Sequence, residues 1–270
     1  MRVLSWNLYH GRDLPPDETL FTWRSRFLRV AERNDTHVQV NRKLFDEFAR
    51  VLDGLEWDVA LLQEAPPRWF AGLRDGTRSA GARVLTSRNV CRPVQGLLGD
   101  LNPDLIGSWE GGSNQILVRR PGRILEERRL TLAYRPERRR MLWTRLEQPE
   151  LGRMCVADLH ATAWRSAQAS AEVVAAAEAA VEWSGQDPLV FGGDFNVRPA
   201  AEPAPFAALR DRLGLREPTA PDSVDHVMAR RLEIAMAPRR LAAERRELIE
   251  PDGLRLRLSD HRPVAAGFMR

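Results

Sequence analysis

Lysine is nearly absent from this sequence of 270 residues: of 41 basic side chains, only Lys43 carries an amine. Cysteine is scarce too, with Cys91 and Cys155 alone. Two thiols are too few for a disulfide scaffold, and neither stands in a zinc-ligand spacing. A reduced, cytoplasmic setting is the expectation. No apolar run approaches the ~18 residues that a membrane span needs. The opening MRVLSWNLYHG lacks the apolar stretch and small-residue cleavage site of a secretory signal. Walker loop, HExxH, dinucleotide fingerprint and nucleophilic serine elbow are all missing, which removes the chemistries those motifs carry. There is also no low-complexity segment and no interdomain linker. Residues 1–270 therefore read as one domain, long enough to bury a sizeable core.

What the chain does have is arginine. The formal net charge is +4 and the sequence pI about 9.8. Guanidinium groups offer a planar fork of donors suited to phosphate. They cluster at Arg138 to Arg140, at Arg239 with Arg240, and at Arg245 with Arg246. A phosphate-bearing partner fits this charge, although any one cluster reads more readily as a solvated face in an arginine-rich composition.

Short apolar runs recur and predict strands at 2–6, 58–62, 83–86, 115–118, 128–132, 141–147, 154–159, 189–191, 224–228, 232–236 and 263–268. Helical spacing predicts helices over 38–52, 165–183 and 205–213, and Pro66-Pro67 can open another. Two stretches have a similar plan: VLSWN, helix, VALLQE in one half, and VADLH, helix, LVFGGD in the other. Such α/β units bury their strands and leave the strand ends free to carry chemistry. Residues 12–35 and 87–113 look irregular. In the first, Phe21, Trp23 and Phe27 read as the apolar face of a helix packed on the core, or as a substrate lip. In the second, Trp109 is placed to stack on a base or sugar.

The strand ends hold the polar residues. Asn7 ends SWN, Glu64 ends LLQE, His160 ends VADLH, and Asp194 and Asn196 follow VFGG. Asp225 begins a strand in SVDHV, and Asp260 and His261 precede the last one in SDHRPV. Each alone also reads as a turn, capping or structural residue. Residues two apart on a strand share a face, so Asp194 and Asn196 point together if the extended geometry continues past the glycines. Taken together the set supplies carboxylates, amides and histidines just outside apolar runs. Carboxylate and amide oxygens are hard ligands for Mg²⁺ or Mn²⁺, and histidines move protons near neutral pH. Metal-assisted hydrolysis of a phosphate ester is the chemistry these groups fit.

The order WN, QE, strand-His, GDFN, Asp-His and SDHRPV resembles the endonuclease/exonuclease/phosphatase superfamily, over nearly the whole chain. The resemblance implies a DNase I-like α/β (α+β) fold, a four-layer sandwich of two mixed, mainly antiparallel sheets packed face to face with helices outside. It implies that Glu64 is the principal Mg²⁺ ligand (Mn²⁺ possible as a substitute), with Asn7 and Asp260 beside it. Asp194 would position or deprotonate the attacking water, and Asn196 would hold Asp194 and a phosphate oxygen. His261 would face the scissile phosphate with Asp225 as its carboxylate partner, and His160 would bind phosphate or act as general acid. Asn114 is a further phosphate contact on this reading, and His226 a structural residue.

The expected activity is Mg²⁺-dependent phosphodiester hydrolysis, with nucleic acid favoured as substrate by pI and arginine content. A lipid, inositol-phosphate or other small phosphoester is the alternative within hydrolases. A non-catalytic scaffold retaining the fold is the alternative outside them. The first motif, Asn7-Leu8-Tyr9-His10-Gly11, departs from the Asn-Gly step of abasic-site endonucleases, which weakens that particular assignment.

Overall fold

The computed structural model describes residues 1–87, 92–135 and 137–270. Two large sheets dominate it. The six-stranded sheet runs, edge to edge, Glu233–Arg240, Val264–Met269, Arg2–Asn7, Val59–Ala65, Ser113–Arg119 and Ser79–Leu85. The five-stranded sheet runs Asp225–Arg230, Leu189–Asp194, Gly152–His160, Arg139–Gln148 and Arg123–Ala133. Each contains one parallel pair: Arg2–Asn7 with Val59–Ala65, and Gly152–His160 with Leu189–Asp194. Parallel neighbours need a crossover, and helices Phe45–Gly54 and Ser166–Ser184 lie on the two connections.

Alternation along the strands builds the layers. Val3, Val59, Leu61, Ile116 and Val118 of the first sheet meet Leu142, Leu146, Val156, Val190 and Val227 of the second. The intervening residues Leu4, Trp6, Ala60 and Leu62 face Phe48 and Leu52 of helix Phe45–Gly54. On the other side Trp143, Ala157, Leu159 and Phe191 pack on Ala169, Val173, Ala176 and Ala180, the apolar stripe of helix Ser166–Ser184. Burial on both faces explains the continuous apolar runs of Val59–Ala65 and Leu189–Asp194, while the edge strand Arg123–Ala133 keeps an exposed, charged face.

Between the sheets the apolar layer gives way to amides and acids. Ser5, Gln63, Asn114 and Asp158 are fully buried. Gln63 Nε2 donates to Asp158 Oδ1 at 2.6 Å and to Ser5 Oγ at 3.3 Å. This polar floor lies under the strand ends that carry Glu64 and His160, one or two residues along the same strands.

Several expectations change. The helix expected over 38–52 begins only at Phe45, and His37–Gln39 is a strand of a third, four-stranded sheet. Val38 pairs with Leu256 and Arg33, and Asn41 Nδ2 donates to the carbonyls of Ser25 and Arg26, so contacts far along the chain override local helical spacing. Trp23 and Phe27 are exposed rather than packed on the core. The short helical turn Arg24–Leu28 buries Ser25 instead. The stretch 87–113 includes helices Arg92–Leu101 and Pro103–Ile106, while Cys91 lies outside the described residues. No helix among the described residues is long and apolar enough to cross a membrane.

Candidate active site

One edge of the sandwich gathers the polar strand ends. Asn7 ends its strand in register with Gln63. The pairing of Val59–Ala65 with Ser113–Arg119 then slips between Leu62 and Ala65, and Glu64 takes a positive φ of 47°. A bulge of this kind re-aims a side chain. Here it turns Glu64 toward the second sheet, with its carboxylate 3.3 Å from His10 Nε2 and 3.6 Å from His160 Nε2.

The second sheet delivers three groups side by side. Asp194 pairs in register with His160 on one neighbour and Asp225 on the other. Asp225 opens an antiparallel strand, so its start lies at the same sheet edge as the ends of the other two. The extended geometry does not continue to Asn196, whose φ is 52°. Instead Asn196 folds back: its N–H donates to Asp194 Oδ1 at 3.0 Å and its Nδ2 to the Ala161 carbonyl at 3.0 Å.

The last segment is pinned from beneath. Ser259 Oγ donates to the Asn7 carbonyl at 2.6 Å and accepts from His261 N–H at 3.0 Å. Trp6 Nε1 donates to the His261 carbonyl at 3.0 Å. Buried Arg246 donates to the carbonyls of Ser259 and His261 at 2.6 and 3.0 Å, and burial depresses its pKa to about 10. Four donors thus fix the backbone on which Asp260 and His261 sit.

Electrostatics separate the roles of the groups. Burial opposes charge on His261, but Asp225 and Asp194 outweigh it and hold the imidazolium well above its usual pKa. Its Nδ1 is 2.8 Å from Asp225 Oδ2, and its Nε2 lies 3.8 Å from Asp194 and 3.9 Å from Asp260. His160 moves the other way: burial, and then Arg139 whose guanidinium lies 3.1 Å from Nδ1, push its pKa well below the ordinary value. One histidine is a cation and the other neutral. Burial lifts Asp194 to about 7 against the pull of His261. Asn7 Nδ2 donates to its Oδ2 at 3.0 Å. Burial would raise Glu64 as well, yet His10, His160, His261 and Arg139 bring it down to about 2, so it is an anion at neutral pH. Asp260, about a third exposed at 32 %, is raised by its partial burial.

The set brought together is therefore Asn7, Glu64, His160, Asp194, Asn196, Asp225, Asp260 and His261. Asn114 is not brought to the cleft: it is fully buried, and its Nδ2 donates to the Arg140 carbonyl at 3.0 Å and the Asp158 carbonyl at 3.4 Å. A phosphate contact requires that donor, so the structure assigns Asn114 to holding the two sheets together. His226 is buried against Phe195 and Phe206, away from Asp225's face. Three residues join the site without a clear signal in the sequence. His10 is half-buried beside Glu64 with a φ of 54°; Arg139 is buried on His160 although its run of three arginines reads as a solvated face; and Trp164 lines the open cleft. That cleft, of about 470 Å³, is also lined by Arg165, Ser166, Asn196, Arg198, Asp260 and His261.

The donor set fits a divalent ion. Ligating atoms of Asp194, Asp225 and His261 lie within 4.8 Å of one another, but a protonated imidazole with Nδ1 committed to Asp225 is a poor ligand. Glu64 and Asp260 offer carboxylate oxygens and Asn7 an amide oxygen, the hard donors that Mg²⁺ and Mn²⁺ take. Asp260 accepts only a 3.4 Å contact from Ser259 Oγ and so retains lone pairs for an ion.

Over residues 4–261 the sequence matches the Endonuclease/Exonuclease/phosphatase family. The chain belongs to this family. Solved structures share its fold. The mannosyl-6-phosphatase of Bacteroides thetaiotaomicron VPI-5482 superposes with a TM-score of 0.66 at 14% identity, covering 100% of both chains. The human Nocturnin catalytic domain, solved with a bound sulfate anion, gives 0.62 at 15% identity, covering 100% of this chain and 94% of that one. A humanised D. rerio TDP2 gives 0.61 at 13% identity, with 100% and 99% covered. Among curated proteins there is no match. The family fold is the DNase I-like sandwich of mixed sheets and outer helices, and the polar strand ends at its edge fall within the matched residues.

Proposed function

We propose that this chain is a divalent-metal-dependent phosphodiester hydrolase, acting on nucleic acid by attack of water on phosphorus. The observation that carries this reading is the charged His261 held between Asp225 and Asp194 in the cleft that also holds Asp260 and Asn196. In it, Asp194 takes the proton of the attacking water. A carboxylate with a pKa of about 7 is matched to that task at neutral pH. Asn7 and the Asn196 N–H orient Asp194 from either side. Asp225 fixes the tautomer of His261, leaving its Nε2–H free to donate to a phosphoryl oxygen as negative charge develops there. Neutral His160, backed by Arg139, supplies a further hydrogen bond. Glu64, Asp260 and Asn7 would hold Mg²⁺, or Mn²⁺ in its place. Such an ion, when bound, neutralises the anionic phosphoryl oxygens.

The test is hydrolysis of a chromogenic phosphodiester by the purified protein. Turnover is expected with Mg²⁺ or Mn²⁺, and EDTA is expected to abolish it. His261→Ala is expected to lower turnover by roughly 10²–10⁴-fold with an unchanged circular-dichroism spectrum. Full activity in EDTA, or in the His261 variant, would remove the proposal.

A further inference from the structure

Trp164 is the least economical residue on the surface. Its side chain is fully exposed, it has no ring or cation contact among the described residues, and its backbone sits at φ 65°, in the left-handed region that bulky side chains avoid. Exposing an indole and straining its backbone contribute nothing to the fold, and such outliers gather at functional sites.

The segment carrying it is held firmly. Ala161 N–H donates to the Asp194 carbonyl at 2.9 Å, and the Ala161 carbonyl accepts from Asn196. Thr162 clamps onto buried Glu172 through both its N–H and its hydroxyl, each at 2.7 Å. Helix Ser166–Ser184 starts two residues after Trp164. The indole is thus presented on a short arch with both feet fixed, at the rim of the cleft that holds His261, Asp260 and Asn196. Arg165 and Arg198 line the same cleft, are exposed, and make no ion pair among the described residues. Trp109, the aromatic singled out from the sequence for stacking, does not line it.

We infer that Trp164, with Arg165 and Arg198, forms a stacking subsite for a nucleobase whose adjoining phosphate reaches the His261 centre. This inference rests on the hydrolase reading for the identity of that phosphate. An aromatic face takes any base, because every base has a π-face, and two exposed arginines lining the same cleft favour a backbone of phosphates. The flanking cations disfavour a quaternary ammonium headgroup, the other ligand an exposed indole takes well. A base must be free of its complement to lie flat on the indole, so the subsite selects a single strand, a frayed end or a free nucleotide.

Binding read in EDTA tests this without turnover. Fluorescence anisotropy of a labelled thymidine oligomer is compared with an abasic oligomer of the same length and charge, for wild type, Trp164→Ala and Trp164→Phe. Wild type is expected to bind the base-bearing oligomer roughly tenfold more tightly than the abasic one. Trp164→Ala is expected to lose that difference while binding the abasic oligomer as wild type does, and Trp164→Phe to retain most of it. Thymidine monophosphate as competitor separates the two sources of the base: strand-like competition assigns the subsite to nucleotides, and weak competition assigns it to strands. Equal binding of both oligomers by wild type, or an equal loss for both in Trp164→Ala, overturns the inference. A protein that passes here but hydrolyses no phosphoester loses only the hydrolase reading.

Discussion

Asp158 shows how a single buried acid links the floor of the site to stability. Oδ1 accepts from Gln63, but Oδ2 has no partner, and Gln63 Oε1 and Asn114 Oδ1 on the same inner layer have none either. Burial pushes the Asp158 carboxyl well above its usual range. An unfolded aspartate titrates near about 3.9. The folded chain therefore binds this proton more tightly than the unfolded chain. Its stability is greatest below the unfolded value and declines as pH rises from there until the raised folded value is passed. Asp158→Asn keeps the acceptor for Gln63 and adds N–H donors where acceptors are in surplus. The variant is expected to melt above wild type at neutral pH, by a margin that shrinks toward about pH 4. Thermal midpoints across that range check this; a margin independent of pH would refute the assignment. At this scale the sequence was informative wherever a polar residue interrupts an apolar run, as at Asn7, Glu64, His160, Asp194, Asp225 and His261. It was silent on His10 and Arg139, whose burial depends on a bulge and on a neighbouring strand, and on Trp164, whose exposure follows no period.

Among elements, the strand Leu189–Asp194 is the most tightly constrained. Gly193 has a φ of 129°, and a Cβ there would lie 1.9 Å from the Leu159 carbonyl oxygen. At Gly192 a Cβ would lie 2.8 Å from the His226 carbonyl. Backbone on both sides cannot yield without breaking the ladders that place His160, Asp194 and Asp225 in one row. Gly193→Ala is expected to cost about 3 kcal/mol or more, from strain and overpacking together. Urea denaturation measures it, and a loss within about 0.5 kcal/mol would put the variant with neutral surface changes instead. Strand positions were legible because the inner strands, such as Val59–Ala65 and Leu189–Asp194, are buried on both faces and read as continuous apolar runs. The start of helix Phe45–Gly54 was not, because Val38 and Val40 fit helical spacing as well as they fit a strand. Pairing of Val38 with Leu256, more than 200 positions away, decides between them.

On the scale of the whole molecule, the proposed metal ligands come from three distant points of the chain, Asn7, Glu64 and Asp260. An ion bound there links segments that separate on unfolding, so it stabilises the protein as a unit. At a hundredfold excess over its dissociation constant the gain is about 2.7 kcal/mol. Mg²⁺ is expected to raise the thermal midpoint of wild type and to leave that of Glu64→Gln unmoved. Equal shifts in both proteins would place the ion elsewhere. The DNase I-like architecture was legible at this scale because the motifs fall in a fixed order along the chain, whereas the third sheet, Glu32–Arg33, His37–Gln39, Arg255–Arg257 and Glu247–Ile249, joins short segments with no motif to mark them.

The strand Val264–Met269 inserts between Glu233–Arg240 and Arg2–Asn7, directly behind the loop that carries His261. Arg2–Asn7 thus waits for a strand far along the chain before its second edge is covered. Until that strand docks, the sheet stays open and the contacts of Trp6 and Asn7 with His261 and Ser259 are unmade, so closing the sheet and assembling the candidate site are one event.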